Sequence, residues 1–226
     1  ILNTKGHSNV AVGYVALDAN TTGDYNVAIG SYALSAATTA DKNVGVGPGA
    51  GQSITTGTQN VAVGADALDA VTTASNNVGV GKDAGGALTT GASNVAISVN
   101  ALALGTTAAA NIAIGQDNLY NNTADYNTAI GHNAGVANTS GASMVAVGSF
   151  ALDANTTGDA NVGVGQNAIG TNTTGSNNTA LGHRALRDNT TANNNTAVGF
   201  DALKVNTTGT ANVAVGRSAL QDNTTA

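Results

Sequence analysis

The 226-residue chain contains no cysteine, no tryptophan and a single proline. Without cysteine it has no disulfide, no thiolate metal site and no cysteine nucleophile. All 13 acidic residues are Asp, and the absence of Glu, a good helix former, disfavours helices. The 7 Lys and Arg residues are scattered and form no basic stripe, so we expect no nucleic-acid partner. No apolar run approaches the ~18 residues that span a bilayer, so we expect no membrane insertion of this segment.

What the chain does have is a motif that recurs every 17 residues. The motif reads Asn-Val-Ala-Val-Gly, two variable residues, Ala-Leu and later Thr-Thr-Gly. Thirteen copies follow one another along the chain, and the first begins at Asn9. One step, from Asn111 to Asn127, is 16 residues long. A fixed short period indicates stacked units rather than a globular domain. We therefore divide the sequence into a partial repeat at residues 1–8 and one elongated, uncapped domain of thirteen coils at residues 9–226.

Two positions of the repeat, counted from its Asn, are nearly fixed. Position 1 is Met144 in one copy and otherwise forms a column of asparagines: Asn9, Asn26, Asn43, Asn60, Asn77, Asn94, Asn111, Asn127, Asn161, Asn178, Asn195 and Asn212. Position 4 is always aliphatic, and its residues are assigned to an apolar core or interface: Val12, Ile29, Val46, Val63, Val80, Ile97, Ile114, Ile130, Val147, Val164, Leu181, Val198 and Val215. We expect the Asn column to hydrogen-bond from coil to coil as a structural ladder.

The alternation at positions 2 to 4 predicts a short strand with β-branched residues on one face and Ala or Gly on the other. Gly at position 5 predicts a turn or a positive φ. Positions 8 to 14 predict a second, shorter strand that ends in a turn. The sequence thus predicts an all-β chain, a β-solenoid or parallel β-roll of about thirteen 17-residue coils.

The sequence leaves open which face of the Val-Ala-Val strand lies inside the coil. Either Ala and Gly fill a thin interior and Val and Ile face outward, or the reverse holds. In both cases an apolar stripe longer than a monomer normally exposes follows the coils. We therefore expect a homo-oligomer of parallel chains packed in register.

The residues that carry this pattern resemble those of a known family. The segments Asn-Val-Ala-Ile-Gly at 26–30, Asn-Ile-Ala-Ile-Gly at 111–115 and Asn-Thr-Ala-Ile-Gly at 127–131 are similar to head repeats of trimeric autotransporter adhesins. Those heads are left-handed parallel β-rolls joined as trimers, and the resemblance implies a trimer here. The longer repeat at 195–209 is also similar to repeats of phage tail fibres and related bacterial fibres.

Candidate catalytic and metal-binding residues do not cluster in the sequence. His132 and His183 share position 6 three coils apart, too far for one metal ion at ~4.8 Å per coil. The Asp residues do not follow the nonapeptide of calcium-binding β-rolls. The Gly-rich segment 45–51 lacks the Lys-Ser/Thr of a phosphate-binding loop. We expect no enzymatic activity, no cofactor and no metal site.

Three surface features keep other functions open. Asn-Thr-Thr triplets, such as those at Asn20 and Asn172, fit the glycosylation sequon, although Asn and Thr also stabilise turns. Thr-Thr pairs recur in eleven copies and suggest an ice-binding row, although adjacent strand residues face opposite sides. Aromatic residues such as Tyr25 and Phe200 occupy variable positions and suit weak, repeated contacts with a carbohydrate.

Together these patterns predict a structural and adhesive fibre segment. We expect an extracellular location, on a bacterial cell surface or in a virion fibre, a parallel homotrimer, and attachment to a host surface or carbohydrate receptor. The alternatives are an ice-binding solenoid with a Thr ladder and a subunit of a self-polymerising extracellular filament.

Overall fold

The computed structural model describes residues 5–225, so Ile1–Thr4 of the partial repeat and Ala226 lie outside the described residues. The described residues contain thirteen strands and no helix. The chain divides into two compact units, Ile1–Asn111 and Ile112–Ala226. The fold is a β-solenoid with about 12 turns counted over both units, which confirms the all-β solenoid predicted from the repeat.

Every strand is three residues long and occupies positions 2 to 4 of its repeat. In unit 1 the strands are β1 (Val10–Val12), β2 (Val27–Ile29), β3 (Val44–Val46), β4 (Val61–Val63), β5 (Val78–Val80) and β6 (Val95–Ile97). In unit 2 they are β7 (Ile112–Ile114), β8 (Thr128–Ile130), β9 (Val145–Val147), β10 (Val162–Val164), β11 (Thr179–Leu181), β12 (Thr196–Val198) and β13 (Val213–Val215).

Within each unit the strands pair in chain order, in parallel, and with equivalent repeat positions side by side. Val61 lies beside Val78 in this register, and Ala62 beside Gly79. The backbone N–H of Val61 donates to the carbonyl of Asn77 at 2.8 Å. Each 17-residue repeat is therefore one turn of the solenoid.

The small face of each strand points inward. Ala62 at position 3 is fully buried, as are Ala67 and Leu68 at positions 8 and 9, whereas Val61 and Val63 on either side of Ala62 are partly exposed. The structure thus decides the question that the sequence left open, with Ala and Gly inside and the β-branched residues outside.

The prediction of a second strand at positions 8 to 14 is wrong, because this half of the coil is a series of turns. Leu34 and Leu68, at position 9, have φ of +47° and +50°, and Asp66, at position 7, has φ of +55°. Such left-handed residues cannot continue a strand. Alternate N–H groups instead bond locally and to the next coil: Ala33 donates to Gly30 at 3.3 Å, and Leu34 donates to Ala50 at 3.0 Å.

The left-handed leucines are held in place by burial. A left-handed L-residue costs roughly 1–2 kcal/mol. Full burial of a Leu side chain contributes roughly 1.5–3 kcal/mol, and Leu34, Leu68 and Leu152 are all fully buried. Burial of each of these leucines therefore offsets the strain of its own left-handed backbone.

Where position 9 is Gly, another side chain fills the space. A Cβ on Gly51 would lie 3.0 Å from Ile54 Cδ1, and one on Gly85 would lie 3.0 Å from Leu88 Cδ1. At Gly135 the filling atom is Cε of Met144, the residue that replaces the repeat Asn. Core volume is thus conserved in all three coils by a large residue at position 12 or at the next position 1.

Candidate functional site

The most extensive candidate site is an apolar sheet surface on each unit. Side chains at positions 2 and 4 of a strand point to the same side, opposite position 3. In unit 1 these positions of β1–β6 define what we call the outer face of unit 1, and all of them are Val or Ile. None is fully buried, and Ile29 is 41 % exposed.

The outer face of unit 2 consists of positions 2 and 4 of β7–β13. It is Val, Ile or Leu throughout except for Thr128, Thr179 and Thr196, all at position 2. Leu181 on this face is 50 % exposed. Strands ~4.8 Å apart and ~10 Å long give each face a footprint on the order of 300 Å², which is comparable with the largest apolar patch on a typical monomer, a patch that is often functional.

The position-4 residues assigned from the sequence to a core or interface all lie on these outer faces. None of the thirteen is fully buried. The interior is filled by positions 3, 8 and 9 instead.

The position-1 asparagines form a buried ladder in each unit. Oδ1 of Asn60 accepts the backbone N–H of Asn77 at 3.0 Å, and its Nδ2 donates to the carbonyl of Ala74 at 2.9 Å. The same pattern links Asn178 to Asn195 in unit 2 at 3.0 Å. Because buried amides need partners, this ladder ties each coil to the next and serves no external ligand.

Unit 2 has a second buried ladder, at position 12, that sequence reasoning missed. Asn172 donates to Asn155 Oδ1 at 2.8 Å, and Asn189 donates to Asn172 Oδ1 at 2.9 Å. The signal was present, since position 12 is repeatedly Asn in unit 2 but mostly apolar in unit 1. The triplets were interpreted as sequons or turns because Asn-Thr-Thr fits both.

Burial separates the candidate glycosylation sequons into two groups. The asparagines of the Asn-Thr-Thr triplets at Asn20, Asn155, Asn172, Asn189 and Asn206 have no exposed surface. Asn177 and Asn194, which also begin sequons, are exposed. In the folded protein, the five buried asparagines are therefore inaccessible to a modifying enzyme, whereas Asn177 and Asn194 are accessible.

The two threonines of each Thr-Thr pair have different surroundings. At position 13 the hydroxyl donates to the backbone of the next coil, as from Thr55 to the Thr72 carbonyl at 3.1 Å. At position 14 the side chain is exposed, and in unit 1 Thr fills this position in every coil: Thr22, Thr39, Thr56, Thr73, Thr90 and Thr107. One threonine per coil thus forms an exposed row.

Aromatic side chains that are distant in sequence meet across neighbouring coils. The rings of Tyr14 and Tyr32 are edge to face with centroids 5.5 Å apart. Phe200 stacks on His183 at 5.3 Å, and the Arg217 guanidinium lies 5.7 Å from the Phe200 centroid. No patch was evident from the sequence, because these residues are 17 or 18 positions apart and become adjacent only once the coils stack.

Charged groups also pair from coil to coil. Arg184 contacts Asp201 twice, Nε to Oδ1 at 2.8 Å and Nη2 to Oδ2 at 2.9 Å.

In unit 1, partial burial and the nearby Asp66 and Asp83 raise the pKa of Asp69. In unit 2, burial raises the pKa of Asp153.

No concave site accompanies these surfaces. Residues 5–225 form no ligand-sized pocket, and no group of three or more His or Asp side chains in this part of the chain is placed to hold a metal ion. Within the same residues, no helix has the length and apolar character needed to cross a membrane. Comparison with known protein families, with curated proteins and with solved structures found no match.

Proposed function

We propose that this chain is a non-enzymatic structural and adhesive fibre segment whose copies pack together through their outer faces. The observation that carries the proposal is the outward direction of the Val and Ile side chains in both units. An aliphatic sheet face left in water is unfavourable, and burying it against another copy contributes ~25 cal/mol per Å². A repeat that stacks equivalent residues makes the face self-complementary between copies.

The assembly we propose is a parallel homotrimer, similar to the heads of trimeric autotransporter adhesins, located outside the cell on a bacterial surface or in a virion fibre. The resemblance of segments such as 26–30 and 127–131 supports this choice. Attachment to a host surface or carbohydrate receptor would use the variable positions, which carry the paired aromatic side chains. Many weak, equivalent contacts then add up by avidity.

Charging the outer face tests the proposal. Val78→Lys places an ammonium on the outer face of unit 1, where it is desolvated only if another copy covers it. We expect this variant to be monomeric by light scattering while the unsubstituted chain is oligomeric. Thr73→Lys is the matched control, because Thr73 is exposed outside the outer face, and it should leave the mass of the oligomer unchanged. Equal masses for the two variants would contradict the proposal.

Ice binding is the second candidate, and the exposed position-14 row favours it. Six consecutive coils of unit 1 each present one Thr there, at a spacing of ~4.8 Å. Thermal hysteresis at micromolar protein, lost in Thr56→Lys but kept in Val78→Lys, would support ice binding over assembly through the outer face. Absence of hysteresis would exclude it.

A further inference from the structure

Three threonines interrupt an outer face that is otherwise aliphatic. Thr128, Thr179 and Thr196 lie at position 2 of β8, β11 and β12, where the other strands of unit 2 have Val or Ile. Each is partly exposed. None of their hydroxyls is hydrogen-bonded within the described chain, in contrast to the position-13 threonines, which donate to the next coil. The fold therefore gives these three hydroxyls no partner.

We propose that these three threonines set the axial register and the direction in which copies of the chain pack through the outer face of unit 2. This inference rests on the proposed self-assembly and names the residues that specify it. The partner is a second copy of this chain, and the recognition is between hydroxyl groups in an aliphatic surface.

An aliphatic face alone does not fix the register. Every coil presents nearly the same pair of side chains at positions 2 and 4, so a slip by a whole coil exchanges Val for Val or Ile. Flat surfaces with uniform side chains are weakly specified in register. A polar residue within an apolar seam is a known solution, as in coiled coils, where one buried Asn selects the register.

The spacing of the threonines makes one register unique. The interval from β8 to β11 is three coils and that from β11 to β12 is one coil, so the outer pair is four coils apart. With parallel copies in register, and with position 2 on the rotation axis that relates the copies, all three threonines meet their counterparts. A slip of one, three or four coils aligns a single Thr of each copy, and any other slip aligns none. Antiparallel copies align at most two pairs of threonines.

Misalignment is penalised because a hydroxyl then faces an aliphatic side chain. Two facing hydroxyls satisfy each other, since each is both donor and acceptor. A hydroxyl buried against Val or Ile has no partner, and an unmet buried polar group is destabilising. The in-register parallel arrangement is the one without such an unmet group.

Cysteine cross-linking measures the register directly, because the chain has no cysteine of its own. The variants Val145→Cys in β9 and Val162→Cys in β10 are prepared separately, one of them with an isotopic label. The two variants are then mixed and oxidised. In register, only 145–145 and 162–162 disulfides form, whereas a one-coil slip gives 145–162 disulfides. Disulfides require Cβ atoms within about 4.5 Å, which is less than one coil spacing.

We expect the same-residue disulfides to exceed the 145–162 product by at least tenfold in the natural background. In the Thr128→Val, Thr179→Val, Thr196→Val background, the excess should fall to less than threefold. Val is already the residue at this position in β9, β10 and β13, so this background should fold. The matched control, Thr→Ser at the same three positions, keeps the hydroxyls and should keep the tenfold excess.

The outcomes separate the two proposals. An excess that survives Thr→Val overturns the register role and leaves self-assembly standing, and so does a natural chain without any excess. An oligomer that forms no disulfide at either residue also overturns the register role, because position 2 then does not face its counterpart, and it leaves self-assembly standing. A monomer overturns both proposals.

Discussion

Gly148 illustrates how single residues permit the stacking of coils. Its φ is +133°, and a Cβ there would lie 2.6 Å from the carbonyl oxygen of Gly165 in the next coil. The sequence predicted a turn or positive φ from the Gly at position 5, and the structure confirms the positive φ. The left-handed φ of Leu at position 9 was not predictable, because Leu normally avoids it and only burial against neighbouring coils offsets the strain.

Gly148→Ala is expected to destabilise unit 2 strongly. The backbone conformation alone costs an L-residue roughly 1–3 kcal/mol, and the clash with the Gly165 carbonyl adds to it. The measurement is the midpoint of thermal unfolding. Gly170→Ala is the control, because its Cβ would have ordinary contacts of 3.4 Å or more. Similar midpoints for the two variants would show that the coils are not packed as closely as described.

Asp69→Asn is expected to stabilise the protein at neutral pH. Burial and the neighbouring carboxylates raise the pKa of Asp69 above its ordinary value of 3.8, so folding favours the protonated form. The stability that this group contributes is present below its unfolded pKa and is lost as pH rises through the raised value. The gain in unfolding midpoint should therefore shrink as pH falls through the raised pKa of Asp69 and should be lost below about pH 4, where the carboxyl is protonated in both states. The control is Asp222→Asn, at an exposed carboxylate; a lower midpoint for Asp69→Asn at pH 7 would contradict the account.

At the scale of the coil, the first half was predictable and the second half was not. Val61–Val63 has the period-2 alternation of a strand, and the structure has a strand there. The second half was predicted as a strand, yet it turns at Asp66 and Leu68, whose left-handed conformations depend on contacts between coils. The repeats show that a Gly at position 9 is accompanied by a large residue at position 12 or at the next position 1. Only the stacked coils show that this large side chain fills the space that Leu occupies elsewhere.

The volume exchange predicts coupling between Ile54 and Asn60. Gly51, Ile54 and Asn60 occupy the repeat positions that Gly135, Asn138 and Met144 occupy in unit 2. Ile54→Asn alone leaves a void above Gly51 and should cost about 2 kcal/mol or more. Asn60→Met alone overpacks the same space, at about 1–3 kcal/mol, and also removes the hydrogen bonds of Asn60 to Asn77 and Ala74, a further loss that the second substitution does not restore.

Together the two substitutions reproduce the volume exchange seen in unit 2, and the double variant should recover at least about 1 kcal/mol of the summed loss. Urea unfolding of the four proteins in the cycle gives this coupling energy. Strict additivity would show that Met at this position does not reach the space above Gly51.

At the scale of the whole molecule, the repeat predicted the solenoid and an apolar stripe, and the structure adds which side chains form that stripe. Sequence alone could not assign it, because positions 2 and 3 are both apolar and only the narrow interior selects the smaller residue. The outer faces of the two units, the buried Asn ladders and the absence of a pocket among residues 5–225 all direct the search for function to surfaces.

The mass of the unsubstituted chain in solution tests the central proposal most directly. Sedimentation equilibrium over micromolar concentrations should give three times the chain mass of 21.8 kDa, because burial of the outer faces favours association. A single species of 21.8 kDa at all concentrations would contradict assembly through these faces.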